Sequence, residues 1–83
     1  MSKAERLVED FKLCRGAFPY KDMVRLLKNA GFEEKPTGNG SKRKFVHTTH
    51  KWIVRLHEPH PGNEVKAYMV REVREYLMEQ GVI

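Results

Sequence analysis

Four histidines stand in two His-x-x-His pairs, His47 with His50 and His57 with His60, close to Lys35, Lys42, Arg43, Lys44, Lys51 and Arg55. No Asp or Glu occurs between Lys35 and His57. An imidazole titrates near neutrality and can take or give a proton, while ammonium and guanidinium groups oppose the negative charge of a phosphate. Together these groups could move a proton at a phosphodiester, or hold one without any chemistry. Zinc is the other chemistry that the histidine spacing suggests. The first pair falls in a turn, no cysteine is near, and a strand puts residues i and i+3 on opposite faces, so no metal is expected. No other cofactor is expected.

The charge is localised. The chain has 16 Lys and Arg against 11 Asp and Glu, a net +5, and the Lys35–His57 stretch alone carries six basic residues, which leaves −1 for everything else. A cationic face of this kind suits a nucleic-acid backbone, because affinity for a polyanion grows with the number of phosphates neutralised. The competing explanation is charge carried only for solubility. The 83 residues make one domain, residues 1-83, with room for a single core. With 40% hydrophobic and 33% charged residues the chain is composed to fold. The lone Cys14 can form neither an internal disulfide nor a thiolate cage, and its place in an apolar pattern with Leu7 and Phe11 marks it as core filler. No apolar run approaches the roughly 18 residues of a membrane span, and MSKAERLVED has no signal-peptide character. A soluble cytoplasmic protein is expected.

Those side chains must be positioned by short elements. Ser2 and Glu5 have capping-box spacing, and Ala4, Leu7, Val8, Phe11 and Cys14 share a helical face as far as Gly16. Residues 2-16 therefore form an N-terminal helical extension, which either completes the core or offers an apolar patch to a partner. A second helix opens at Pro19 and Tyr20, carries Met23, Val24, Leu26, Leu27 and Ala30, and stops at Gly31. Three β-prone segments follow, Phe32 to Lys35, Arg43 to Thr48 and Trp52 to Leu56, with Asn39-Gly40 in the first connection. After Pro59 and Pro61, Asn63 can cap a last helix marked by Val65, Met69, Val73, Tyr76 and Leu77 and closed at Gly81. The fold class is thus α+β, a three-stranded antiparallel sheet with helices packed on one face, in the order α-α-β-β-β-α. Alternation then decides the faces. If Phe45, Trp52, Val54 and Leu56 point at the helices, Lys42, Lys44, Arg55 and His57 share the open side. Phe45 and Trp52 are assigned to the core, since so small a chain needs its large apolar residues inside. The glycine loop Gly38-Asn39-Gly40-Ser41 joins two strands and opens no helix, so it reads as a hairpin turn and not as a phosphate cradle. The mixed charges of the last helix, with Arg71 and Glu75 four apart, read as a solvated face.

DMVRLLKNAGF, then a glycine-rich turn ending in Gly40-Ser41, then His60-Pro61-Gly62 before a helix that finishes at Gly81-Val82-Ile83, in that order, resemble the HicA family of bacterial toxins. The likeness covers residues 20-83, a HicA-like core behind the N-terminal helix. It implies a double-stranded-RNA-binding-like fold and a metal-independent endoribonuclease, an mRNA interferase, neutralised by an antitoxin of the HicB type. It also marks a departure, because most members carry a catalytic histidine after Gly-Ser where this chain has Lys42. Lysine opposes phosphoryl charge well, but at its ordinary pKa near 10.4 it is a poor base at neutral pH. His57, at the end of the third strand and with the parity of Lys42, is the expected proton-transfer residue. Lys42 and His60 complete the catalytic set, although for His60 a structural role in fixing the proline loop is favoured, and for His57 the two roles are evenly balanced. Lys42, Arg43, Lys44, Lys51 and Arg55 are the expected RNA-binding residues. The replaced histidine keeps a second possibility open, a non-catalytic RNA-binding module of the same fold; a third is a domain whose basic face takes an acidic protein.

Overall fold

The structure is a computed structural model that describes residues 2–38, 40–59 and 62–83. Asn39, His60 and Pro61 lie outside the described residues, and with them the hairpin role of Asn39 and the catalytic role of His60.

Helix α1, Lys3–Leu13, begins as its capping box requires: the Ser2 hydroxyl accepts the Glu5 N–H at 3.2 Å. It ends at Cys14, short of the expected Gly16, because the chain turns to an extended conformation there. The Arg74 guanidinium reaches from the last helix to donate to the Cys14 carbonyl at 2.7 Å. Arg74 is therefore a clasp between the first and last helices, not part of the solvated face to which its neighbours belong. Phe11 is fully buried and meets the edge of Phe18 at 5.3 Å between ring centres, so α1 completes the core. Cys14 is partly buried against that core.

Two short strands, β1 (Phe18–Pro19) and β5 (Glu64–Val65), pair antiparallel and were not expected from the sequence. Helix α2, Tyr20–Asn29, runs from Pro19 with Asp22 in its first turn and buries Met23, Leu26 and Leu27. It stops at Gly31, whose φ of +100° admits a glycine readily. A β-carbon there would also lie 2.9 Å from His47 Nε2, so the position has no room for one.

The main sheet is β2 (Phe32–Lys35), β3 (Lys42–His47) and β4 (Ile53–His57), antiparallel in that order. Both hairpin strands sit within one residue of the expected spans. Helix α3, Ala67–Glu79, starts later than expected. Asn63 is no cap: its carbonyl accepts the Tyr20 N–H at 2.8 Å, and Val65 belongs to β5. The helix closes on Gly81, with the Val82 N–H returning to the Leu77 carbonyl at 2.8 Å. No ion pair joins Arg71 to Glu75 among the described residues.

The core lies between the helices and one face of the sheet. Phe32, Phe45, Val54 and Leu56 supply the sheet's share, and Val70, Val73 and Leu77 that of α3. Trp52 is partly buried against it at the sheet's end. The element order is the expected α-α-β-β-β-α, with the β1–β5 ribbon added.

Candidate nucleic-acid interface

Register decides which side chains meet. Lys42 faces His57, Lys44 faces Arg55 and Val46 faces Ile53 across β3 and β4. The Glu58 N–H donates to the Ser41 carbonyl at 2.7 Å and the His47 N–H to the Trp52 carbonyl at 2.8 Å, so Ser41 and His47 occupy hydrogen-bonded positions. By alternation Lys42, Lys44 and Val46 occupy the others, where facing Cα atoms stand only about 4.5 Å apart and side chains run close together. Lys42 with His57 and Lys44 with Arg55 are therefore two tight pairs on the face away from the core. On its other side Lys44 faces Lys35 of β2. Lys35, Lys44 and Arg55 thus form a row of like charges across the sheet.

Like charges directly opposite each other destabilise a sheet unless something neutralises them. Lys35 has such a partner, Glu33 Oε2 at 3.1 Å from its Nζ. Lys42, Lys44 and Arg55 have no carboxylate partner among the described residues. They line an open cleft of about 500 Å³ with Arg43, Leu56, His57, Pro36, Thr37 and Met69. The His57 ring has no hydrogen-bond partner among the described residues and is exposed. Lys42 is the first residue of β3, placed by the strand and not by the glycine loop.

Arg43 lines the same cleft but is paired with carboxylates, whereas Lys51 stands apart from it. Arg43 has the parity of Phe45, so its side chain turns toward the helical side, where it pairs with Glu58 and, at 3.5 Å, with Glu34 Oε2. Its guanidinium also donates to the Gly40 and Lys42 carbonyls. The same nest surrounds Tyr20: burial first, then Glu34 and Glu58, push its phenol above the ordinary value, while Arg43 pulls the other way. Arg43 is a compensated charge that ties β2, β3 and the end of β4 together. Lys51 sits in the β3–β4 turn at φ +62°, its Nζ folded onto the Thr48 carbonyl at 2.9 Å. Six residues of strand rise separate it from His57, roughly 20 Å.

The first histidine pair builds that turn. His47 Nδ1 accepts the backbone N–H groups of Thr49 and His50 at 3.2 and 3.1 Å, and His50 stacks on Trp52 at 4.3 Å between ring centres. His47 is thus a hairpin-fixing side chain. Glu34, Glu58 and Tyr20, which neutralise and bury Arg43, were missed at the level of sequence. Glu58 lies just past the acid-free stretch, and a parity argument for Arg43 would have found the need for such a partner.

No helix among the described residues is long and apolar enough to cross a membrane. No curated protein and no solved structure matches the chain. A family model does, that of the HicA toxin of bacterial toxin-antitoxin systems, over residues 20–81. The match takes in both hairpin strands with the four paired residues and leaves outside it α1, the approach to Tyr20 and the last two residues, Val82 and Ile83. The chain belongs to the HicA toxin family.

Proposed function

We propose that the protein is the toxin of a toxin-antitoxin pair and that it binds single-stranded RNA across the open face of its sheet and cleaves it without a metal. The observation that carries this reading is the juxtaposition of an imidazole, His57, with three cations, Lys42, Lys44 and Arg55, none of which has a side-chain partner of opposite charge among the described residues. The two pairs lie two residues apart along the strands, about 7 Å, which is comparable to the step between phosphates of an extended strand. Lys44 and Arg55 hold one phosphate and Lys42 meets the next. At that second phosphate His57 takes the proton of the 2′-hydroxyl as its oxygen bonds to phosphorus and the bond to the 5′-oxygen breaks. The Lys42 ammonium opposes the charge growing on the phosphoryl oxygens. The departing 5′-oxygen is protonated by that ammonium or by water, both at hand on an open face. Lys42 thus occupies the place where most family members carry a histidine, and His57 across the ladder takes over the proton. His60 is assigned to the proline loop or to the second proton transfer. The family supports an antitoxin partner, which we assign to the HicB type.

One observation favours the second reading, a non-catalytic RNA-binding module. No described group holds the His57 ring in a fixed tautomer, as a dedicated base is usually held. Incubating RNA with the purified protein in the presence of chelator separates the two. Cleavage that survives chelator, falls about 100-fold or more in His57→Ala with binding retained, and falls again in Lys42→Ala supports the nuclease. The same assay on His60→Ala sorts its two roles. Intact RNA after long incubation with the wild type removes catalysis and leaves the binding module.

A further inference from the structure

His57 and Met69 belong to two clefts. Beyond them from the cationic one lies a second, of about 490 Å³, lined by Pro59, Glu64, Val65, Lys66 and Tyr68 as well. Both volumes fall in the roughly 300–1,000 Å³ range of small-ligand clefts. Their chemistry differs. The first presents the paired Arg43 and three cations without a carboxylate partner among the described residues, whereas the second has an apolar wall of Pro59, Val65 and Met69, one carboxylate, one ammonium and an aromatic ring. Tyr68 is 54% exposed although α3 buries Val70, Val73 and Leu77 into the core, so no packing requirement accounts for its ring. It makes no aromatic contact among the described residues. Glu64 is fixed beside it by the β1–β5 ladder, where it faces Pro19.

We propose that this second cleft is a nucleobase pocket, in which Tyr68 stacks on the base of the nucleotide whose phosphate lies at His57. The proposal rests on the RNA-binding reading above and adds to it a site that reads bases. Charge divides the strand between the clefts: Lys66 offsets Glu64, so the second cleft has no net charge to draw phosphate, the backbone stays with Lys42, Lys44 and Arg55, and the flat apolar base turns into the neutral cleft. A tyrosine ring offers every base a π-face, and with two side-chain torsions it is ordered at little entropic cost. The Glu64 carboxylate at the same cleft accepts hydrogen bonds from base amino groups, as acidic side chains do from cytosine N4.

The test uses the full chain and two probes that cannot be cleaved: a short 2′-O-methyl oligonucleotide, and its abasic counterpart with the same number of phosphates. Fluorescence anisotropy measures binding for wild type, Tyr68→Ala, Tyr68→Phe and Lys44→Glu. Tyr68→Ala is expected to weaken the base-bearing probe about 5- to 150-fold, the range of lost base stacking, and to leave the abasic probe unchanged. Tyr68→Phe keeps wild-type affinity, and Lys44→Glu weakens both probes. Affinity of Tyr68→Ala within twofold of wild type on the base-bearing probe, or an equal loss on both probes, overturns the base pocket while the RNA-binding reading stands. Failure of the wild type to bind either probe overturns both.

Discussion

Salt dependence of RNA binding distinguishes the charge the sequence displays from the charge the fold makes available. Six basic residues lie between Lys35 and His57. The structure withdraws three of them: Lys35 to Glu33, Arg43 to Glu34 and Glu58, and Lys51 to the far turn. Lys42, Lys44 and Arg55 keep no carboxylate partner among the described residues, and on the proposed reading these three meet phosphate. For single strands the slope of log Kobs against log salt is about −0.7 per phosphate neutralised, so three cations give about −2 and six would give about −4. Raising salt from about 50 to about 200 mM should then weaken binding about 20-fold rather than about 300-fold. Fluorescence anisotropy on a labelled oligonucleotide across that range measures the slope directly. Lys44→Gln should flatten it by about 0.7, and Lys51→Gln should leave it unchanged. A wild-type slope near −4, or equal flattening by the two variants, would show that the compensated cations are in use and refute the reasoning.

Removing Arg43 as Arg43→Met takes away two partly exposed ion pairs and should cost about 1 kcal/mol in urea unfolding, with Glu58→Gln costing about half of that. Gly31 and Gly81 both hold positive φ, but only Gly31 is crowded, by His47. Gly81→Ala should lose about 1 to 2 kcal/mol, and Gly31→Ala at least about 1 kcal/mol more, in thermal melts. Tyr20 has its pKa raised above the ordinary 10.0 by burial and by Glu34 and Glu58. Above that pH the folded protein keeps a proton that the unfolded chain has lost, so this contribution to stability is complete below about pH 10 and shrinks as pH rises past it. Tyr20→Phe has no such group: its urea midpoint should hold a constant offset from wild type below that pH and gain on it above.

What could be read from the sequence followed from periodicity. The alternation of Lys44, Phe45, Val46 and of Val54, Arg55, Leu56 separates a buried face from an open one, and the observed register pairs Lys44 with Arg55 as that alternation requires. Caps at Ser2, Gly31 and Gly81 were equally legible, since each relies on its immediate neighbours. The β1–β5 ribbon was not: two-residue strands have no period, and Phe18 meets Val65 only because the core brings them together. That hidden pairing also moved the start of α3 from the neighbourhood of Asn63 to Ala67. The carboxylate partners of Arg43 were not legible, because a run of basic side chains looks uniform in one dimension. In a strand its neighbours Lys42 and Lys44 point one way and it points the other. Tyr68 and the cleft beside His57 were illegible for a different reason, since an exposed tyrosine acquires meaning only from what the fold sets next to it.

The clasp between α1 and α3 separates two boundaries that are easily confused. The family match begins at Tyr20, but the packed structure extends back through α1 to its cap at Ser2. A gene trimmed to the matched segment would leave a hollow where the Phe11 ring sat against Phe18 and would strip the Arg74 guanidinium of its acceptor. Such a clone calls for a filled-in surface beside Phe18 before its behaviour says anything about the toxin.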